Sequence, residues 1–110
     1  MFAAHHQLSN LVAVVDLNGQ QALGYTKDVL DPGTPSERLR AFGWDALDVD
    51  GHDHEALSAA LTRETTLPNA VVAHTTFGKG VSFMESRIIW HYLPMTDEEF
   101  SLALHELGAA

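Results

Sequence analysis

The residues with the clearest chemical potential lie where a short apolar run turns polar, in Val12-Ala13-Val14-Val15-Asp16-Leu17-Asn18-Gly19-Gln20-Gln21. A β-branched run of this length reads as a buried parallel strand emptying into a loop. Ligands of open α/β sheets bind outside the carboxyl ends of strands, so Asn18 falls where a ligand or metal is held. A strand-end asparagine also closes a local Asx turn, and spacing by itself favours that turn over the ligand. The other candidates are histidine pairs, His5 with His6 and His52 with His54. Neither pair has a third ligand at a usual zinc spacing, and the chain has no cysteine to supply one. Neither pair is therefore read as a metal site.

The elements that must position Asn18 follow from the pattern on either side. Residues 2–8 read as the tail of a helix, Ser9-Asn10 as a turn, and Leu11–Leu17 as the first strand. From Asn18 to Thr34 there are turn residues (Gly19, Gly24, Asp31-Pro32-Gly33) and no helical or strand period. A loop this long inside a small domain is usually functional or mobile. Pro35 after Thr34 starts a short amphipathic helix carrying Leu39 and Phe42, and Gly43 ends it. Trp44–Val49 alternates like a half-buried strand, Asp50-Gly51 is a turn, and Asp53 caps a helix bearing Leu57, Ala60 and Leu61. Leu67-Pro68-Asn69 breaks the chain before a buried strand at Ala70–Ala73. A glycine-punctuated loop spans Thr76 to Gly80. Thr96-Asp97-Glu98-Glu99 is a capping box opening an amphipathic helix with Phe100, Leu102, Ala103 and Leu107.

The alternation of strand and helix implies a three-stranded parallel α/β unit with right-handed crossovers. Nothing precedes the first helix to bury its apolar side, so the chain reads as a domain missing its front. Its 110 residues, 45% of them hydrophobic, suit one small globular domain. The longest apolar run, Leu11 to Val15, is far short of the roughly 20 residues of a membrane span. No signal-peptide pattern opens the chain, and the absence of cysteine fits the cytoplasm. A formal charge of −9 without a Lys/Arg cluster argues against nucleic acid or an anionic membrane as partner. It also means that an anionic ligand would have to be met by a divalent cation and backbone N–H groups.

Four segments, in order and spacing, resemble the transketolase family. They are Phe2-Ala3-Ala4-His5-His6 with Leu8 and Asn10; Asp16-Leu17-Asn18-Gly19; Phe42-Gly43-Trp44 with Val49-Asp50-Gly51-His52-Asp53; and Phe77-Gly78-Lys79-Gly80-Val81-Ser82-Phe83-Met84-Glu85, followed by Trp90-His91. The terminal helix from Asp97 to Leu107 is also similar. The resemblance covers nearly the whole chain and is greatest to the amino-terminal subunits of two-component transketolases. It implies an α/β fold, a partial three-layer α/β/α thiamine-diphosphate-binding fold with a small parallel sheet. Residues 1–110 would then be a single partial domain, the C-terminal part of the diphosphate-binding domain.

The resemblance further implies thiamine diphosphate and Mg²⁺ (or Ca²⁺) as cofactors. Asn18, through its side-chain oxygen, and Gln20, through its backbone carbonyl, match the family's metal ligands; hard oxygen donors suit Mg²⁺. His91 matches the catalytic histidine near the cofactor diphosphate and substrate channel, where an imidazole can bind phosphate and move a proton. Tyr92 replaces the glycine usual after it. Phe77 and Gly78 match a position lining the cofactor. The family's Gly-Asp-Gly motif, which supplies the metal-binding aspartate, does not occur in the chain. The pyrimidine-binding domain, with the glutamate that activates the thiamine ring, is absent too. The expectation is a transketolase-like component that transfers a two-carbon ketol unit between sugar phosphates. It would be inactive until complementary subunits supply the missing motif and domain. The alternative is a non-catalytic truncated module that serves as an interaction or structural subunit.

Overall fold

A computed structural model describes residues 1–109 of the chain, which divides into two compact units. The first unit takes Met1–Leu17 and Pro32–Thr75; the second takes Asn18–Asp31 and the chain from Thr76 onward.

The first unit contains helix α1 (Phe2–His5), strand β1 (Val12–Leu17), helix α3 (Pro35–Ala41), strand β4 (Asp45–Asp50), helix α4 (His54–Thr62) and strand β5 (Asn69–His74). The intervening labels β2, β3 and α2 belong to the second unit. The three long strands form a parallel sheet in the order β1-β5-β4. The last strand is thus the central one. Its sequence fits that place, since Asn69 through Ala73 are all buried, and strands covered on both faces read as continuous apolar runs.

Register assigns the helices to faces. Asn69 is level with Asp45 and Val12, so its side chain shares a face with theirs. The Asn69 amide donates to the Ala60 carbonyl at 2.9 Å, which places α4 on that face. Ala46 and Asp48 point the other way, where Arg40 of α3 donates to the Ala46 carbonyl at 2.8 Å and lies 3.8 Å from the Asp48 carboxylate. Helix, sheet and helix therefore form three layers over β4 and β5.

The caps read from sequence are present. The Asp53 carboxylate accepts from the N–H groups of Glu55 and Ala56, and α3 begins on Pro35 after Thr34. The Asp50-Gly51 turn needs its glycine, because a Cβ there would lie 2.3 Å from the Thr75 methyl. The Asn69 side-chain oxygen also accepts from Arg63 Nε and Nη2 at 3.0 and 2.8 Å, and Arg63 pairs with the Asp45 carboxylate at 2.9 Å. One buried asparagine thus ties the end of α4 to the starts of two strands.

Strand β1 corrects an expectation. It is parallel, but it is an edge strand rather than a buried one, with Val12 42% and Val14 56% exposed. Neither α3 nor α4 packs substantially on it. A β-branched run specifies a strand; whether anything covers it depends on the neighbouring elements.

The second unit contains a hairpin of β2 (Gln20–Gln21) and β3 (Gly24–Tyr25), helix α2 (Thr26–Val29), a 3₁₀ turn (Ile88–His91) and helix α5 (Asp97–Glu106). The expected structureless loop from Asn18 to Thr34 therefore carries a hairpin and a helical turn. Strands of two residues and a helix of four are too short to show a period in sequence. Helix α5 opens with both bonds of its capping box, Thr96 with Glu99. Its far end is held by Glu106, whose carboxylate accepts from the Ser82 hydroxyl and backbone N–H, each at 2.6 Å. Its apolar side is open: Phe100, Leu102 and Leu107 are exposed and only Ala103 is buried.

Candidate functional site

The second unit holds a small cleft of about 70 Å³. Asn18, Gln20, Gln21 and Ala22 line it from one segment, and Phe77, Ile88 and His91 from the other. Four of the five residues singled out in the sequence (Asn18, Gln20, Phe77 and His91) meet there across some seventy positions of chain. Gly78 does not line it. That glycine has a positive φ of 70°, and a Cβ on it would sit 2.7 Å from the Met84 Cβ. Its place in the structure is a tight loop packing against Met84.

Local chemistry fixes the hairpin side. The side-chain oxygen of Asn18 accepts from the Gln20 N–H at 2.9 Å, so the Asx-turn reading is realised. An amide oxygen has two lone pairs, and the turn is compatible with a second role as ligand. Gly19, with φ at 74°, returns its carbonyl to the Thr26 N–H at 2.9 Å. The Gln21 side chain reaches the Leu30 carbonyl at 2.8 Å, anchoring the end of α2. On the other side, the Ser86 N–H donates to the Phe77 carbonyl at 2.9 Å, and Trp90 donates its indole N–H to the Phe83 carbonyl at 2.8 Å. The 3₁₀ turn that carries Ile88 and His91 is thereby pinned at both ends. Gln21, Ala22 and Ile88 were not singled out in the sequence, because a lining side chain in a short turn leaves no pattern there.

The cleft's size and donors limit what it can hold. Pockets for a whole cofactor run to roughly 300–1,000 Å³, so this cleft suits an ion with part of its shell, or one phosphoryl group. Its polar groups are amides, backbone groups and the His91 imidazole. No carboxylate lines it, and among the described residues no three His, Asp or Glu side chains cluster to hold a metal. Mg²⁺ bound to a protein usually takes one or two carboxylates beside phosphate oxygens. These residues therefore fit part of a Mg²⁺–diphosphate site. One further observation points to a ligand: both polar atoms of the Gln20 side-chain amide are buried without a hydrogen-bond partner, a condition that native proteins nearly always relieve.

A family model described as transketolase, thiamine diphosphate binding domain, matches residues 1–110. The chain belongs to that family. It is 34% identical to one of the subunits of the apulose-4-phosphate transketolase of Phocaeicola vulgatus, over 98% of this chain and 40% of that protein. It is 35% identical to the 6-deoxy-6-sulfo-D-fructose transketolase subunit SqwG of Clostridium sp., over 97% of this chain and 40% of that one. A crystal structure of transketolase from Campylobacter jejuni superposes on 97% of this chain and 17% of its own length, with a TM-score of 0.84 and 28% identity. The chain thus spans about two-fifths of the length of the subunit relatives it matches.

Proposed function

We propose that this chain is one component of a transketolase-like transferase that moves a two-carbon ketol unit between sugar phosphates. The observation that carries the reading is the meeting of Asn18, Gln20, Phe77 and His91 at one cleft in a chain that the family model matches throughout. In this reading the Asn18 side-chain oxygen and the Gln20 carbonyl hold Mg²⁺ (or Ca²⁺) against the diphosphate of thiamine diphosphate. When bound, thiamine diphosphate supplies the electron sink needed to break and remake a carbon–carbon bond beside a carbonyl. His91 binds a phosphate oxygen and holds or passes a proton near neutral pH. Phe77 keeps water from the apolar part of the cofactor. The two relatives' names describe a sugar with a terminal phosphate and one with a sulfonate, and an anionic sugar is the substrate class that follows.

Partner dependence is part of the proposal. The cleft lacks a carboxylate, and the sequence lacks Gly-Asp-Gly. A complementary subunit carrying that motif and the pyrimidine-binding domain would complete the site, in the cytoplasm. No helix among the described residues is long and apolar enough to cross a membrane. A non-catalytic interaction module is the second reading, and the same missing carboxylate favours it.

Co-purification with such a subunit separates the two. The complex is expected to bind thiamine diphosphate in a Mg²⁺-dependent manner by calorimetry, with affinity reduced at least about 10-fold by Asn18→Ala, a loss of one charge-assisted contact. A complex that binds no cofactor establishes the non-catalytic reading, and one that binds it equally well with Asn18→Ala overturns the metal-ligand role of Asn18.

A further inference from the structure

The cleft is built from elements too short to hold their own shape. A hairpin with two residues per strand is marginal by itself, and a four-residue helix or 3₁₀ turn cannot nucleate alone. Two tyrosine hydroxyls supply long-range ties. Tyr25, which ends the hairpin, donates to the Ser86 carbonyl at 3.1 Å. Tyr92, which follows His91, donates to the Ala22 carbonyl at the hairpin tip. The bonds run in opposite directions, so each segment gives one hydroxyl and one carbonyl.

We propose that Tyr25 and Tyr92 form a reciprocal clasp that positions the cleft residues. Four of the seven residues that line the cleft lie one step from a tie. Gln20 pairs with Tyr25 in the hairpin. Ala22 is itself an acceptor and a lining residue. Phe77 accepts from the N–H of Ser86, whose carbonyl takes the Tyr25 bond. His91 is the neighbour of Tyr92, with ring centroids 4.9 Å apart at 86°. Ser86 adopts a positive φ of 55°, a conformation a serine rarely takes unless its surroundings impose it. Tyrosine suits the task because a rigid ring with two side-chain torsions carries a neutral donor far from its backbone. The two residues are positioning residues; neither lines the cleft.

The inference rests on the proposed function only for what the cleft holds, and its test keeps the two apart. Tyr25→Phe and Tyr92→Phe remove one hydroxyl each and keep the rings. In the full chain, amide hydrogen exchange at residues 20–25 and 88–92 is expected to quicken about 3- to 10-fold in either variant, the worth of one net hydrogen bond. Exchange in β4 and β5 should stay as in the parent, and the melting temperature should stay within about 2 °C. Mn²⁺ with inorganic diphosphate is the binding probe. It should broaden the amide signals of residues 18–22 in the parent, and need several-fold more probe to do so in either variant. Unchanged exchange in both variants overturns the clasp, as does loss of structure throughout β4 and β5. Unchanged probe affinity beside faster exchange also overturns it, since the ties would then be structural alone. Faster exchange in the cleft segments with no probe effect on the parent keeps the clasp and counts against the cofactor reading.

Discussion

Asn18 and Asn69 are two amides at opposite ends of parallel strands with different duties. Asn69 is almost fully buried; its side-chain oxygen accepts twice from Arg63 and its amide nitrogen donates to the Ala60 carbonyl. Asn69→Ala is expected to destabilise the chain by about 2–3 kcal/mol in urea unfolding, because it orphans a buried carbonyl and frees a guanidinium from its partner. Asn18 instead closes a two-residue turn at a cleft. Asp48 offers a pH test at the same scale. The Ser36 hydroxyl nearby holds its carboxyl below the ordinary 3.8, and the His74 ring, 2.9 Å away, adds to the effect. The Ser36 oxygen makes no hydrogen bond of good geometry, so its influence on Asp48 is that of a close dipole, and His74 is the firmer contact. A carboxyl with a depressed folded-state value contributes stability that is present above the unfolded value and lost as pH falls through the folded one. The melting temperature should therefore drop as pH falls below about 4, and Asp48→Asn should flatten that part of the profile.

Among the elements, α5 shows how a terminus can be fixed while a face is left open. Its capping box and the Ser82–Glu106 bonds secure both ends, yet Phe100, Leu102 and Leu107 remain exposed. Thr96→Ala should cost about 1 kcal/mol, seen as roughly 5-fold faster amide exchange in the first turns of α5. Strand β1 has the matching property in a sheet. One of its edges pairs with β5 through six residue pairs, and the other edge bonds to no strand among the described residues. Unpaired edges beside exposed valines invite another strand.

Across the whole molecule, the exposed large apolar side chains include Phe2, Val12, Val14, Leu23, Leu30 and Phe100. Apolar surface of this kind marks interaction sites. The isolated chain is expected to self-associate as concentration rises in sedimentation velocity, despite a charge of −9 that opposes it. Val14→Lys, which places a charge on the open strand, should raise the monomer fraction. A chain that stays monomeric at every concentration would contradict this expectation.

Local chemistry set much of this in the sequence. The caps at Asp53 and Thr96, the stop at Gly43, the central apolar strand and the parallel α/β alternation each depend on residues within a few positions of one another, so one sequence suffices to read them. The meeting of Asn18 with His91 was implied by resemblance and has no local signature. Tertiary structure alone decided that β1 lies at the edge, that the face of α5 is open, that Gln21, Ala22 and Ile88 join the cleft, and that two tyrosines bridge it. Those outcomes depend on contacts between residues up to seventy positions apart, and the free energy of such contacts is set by what packs against what, which neither propensity nor period encodes.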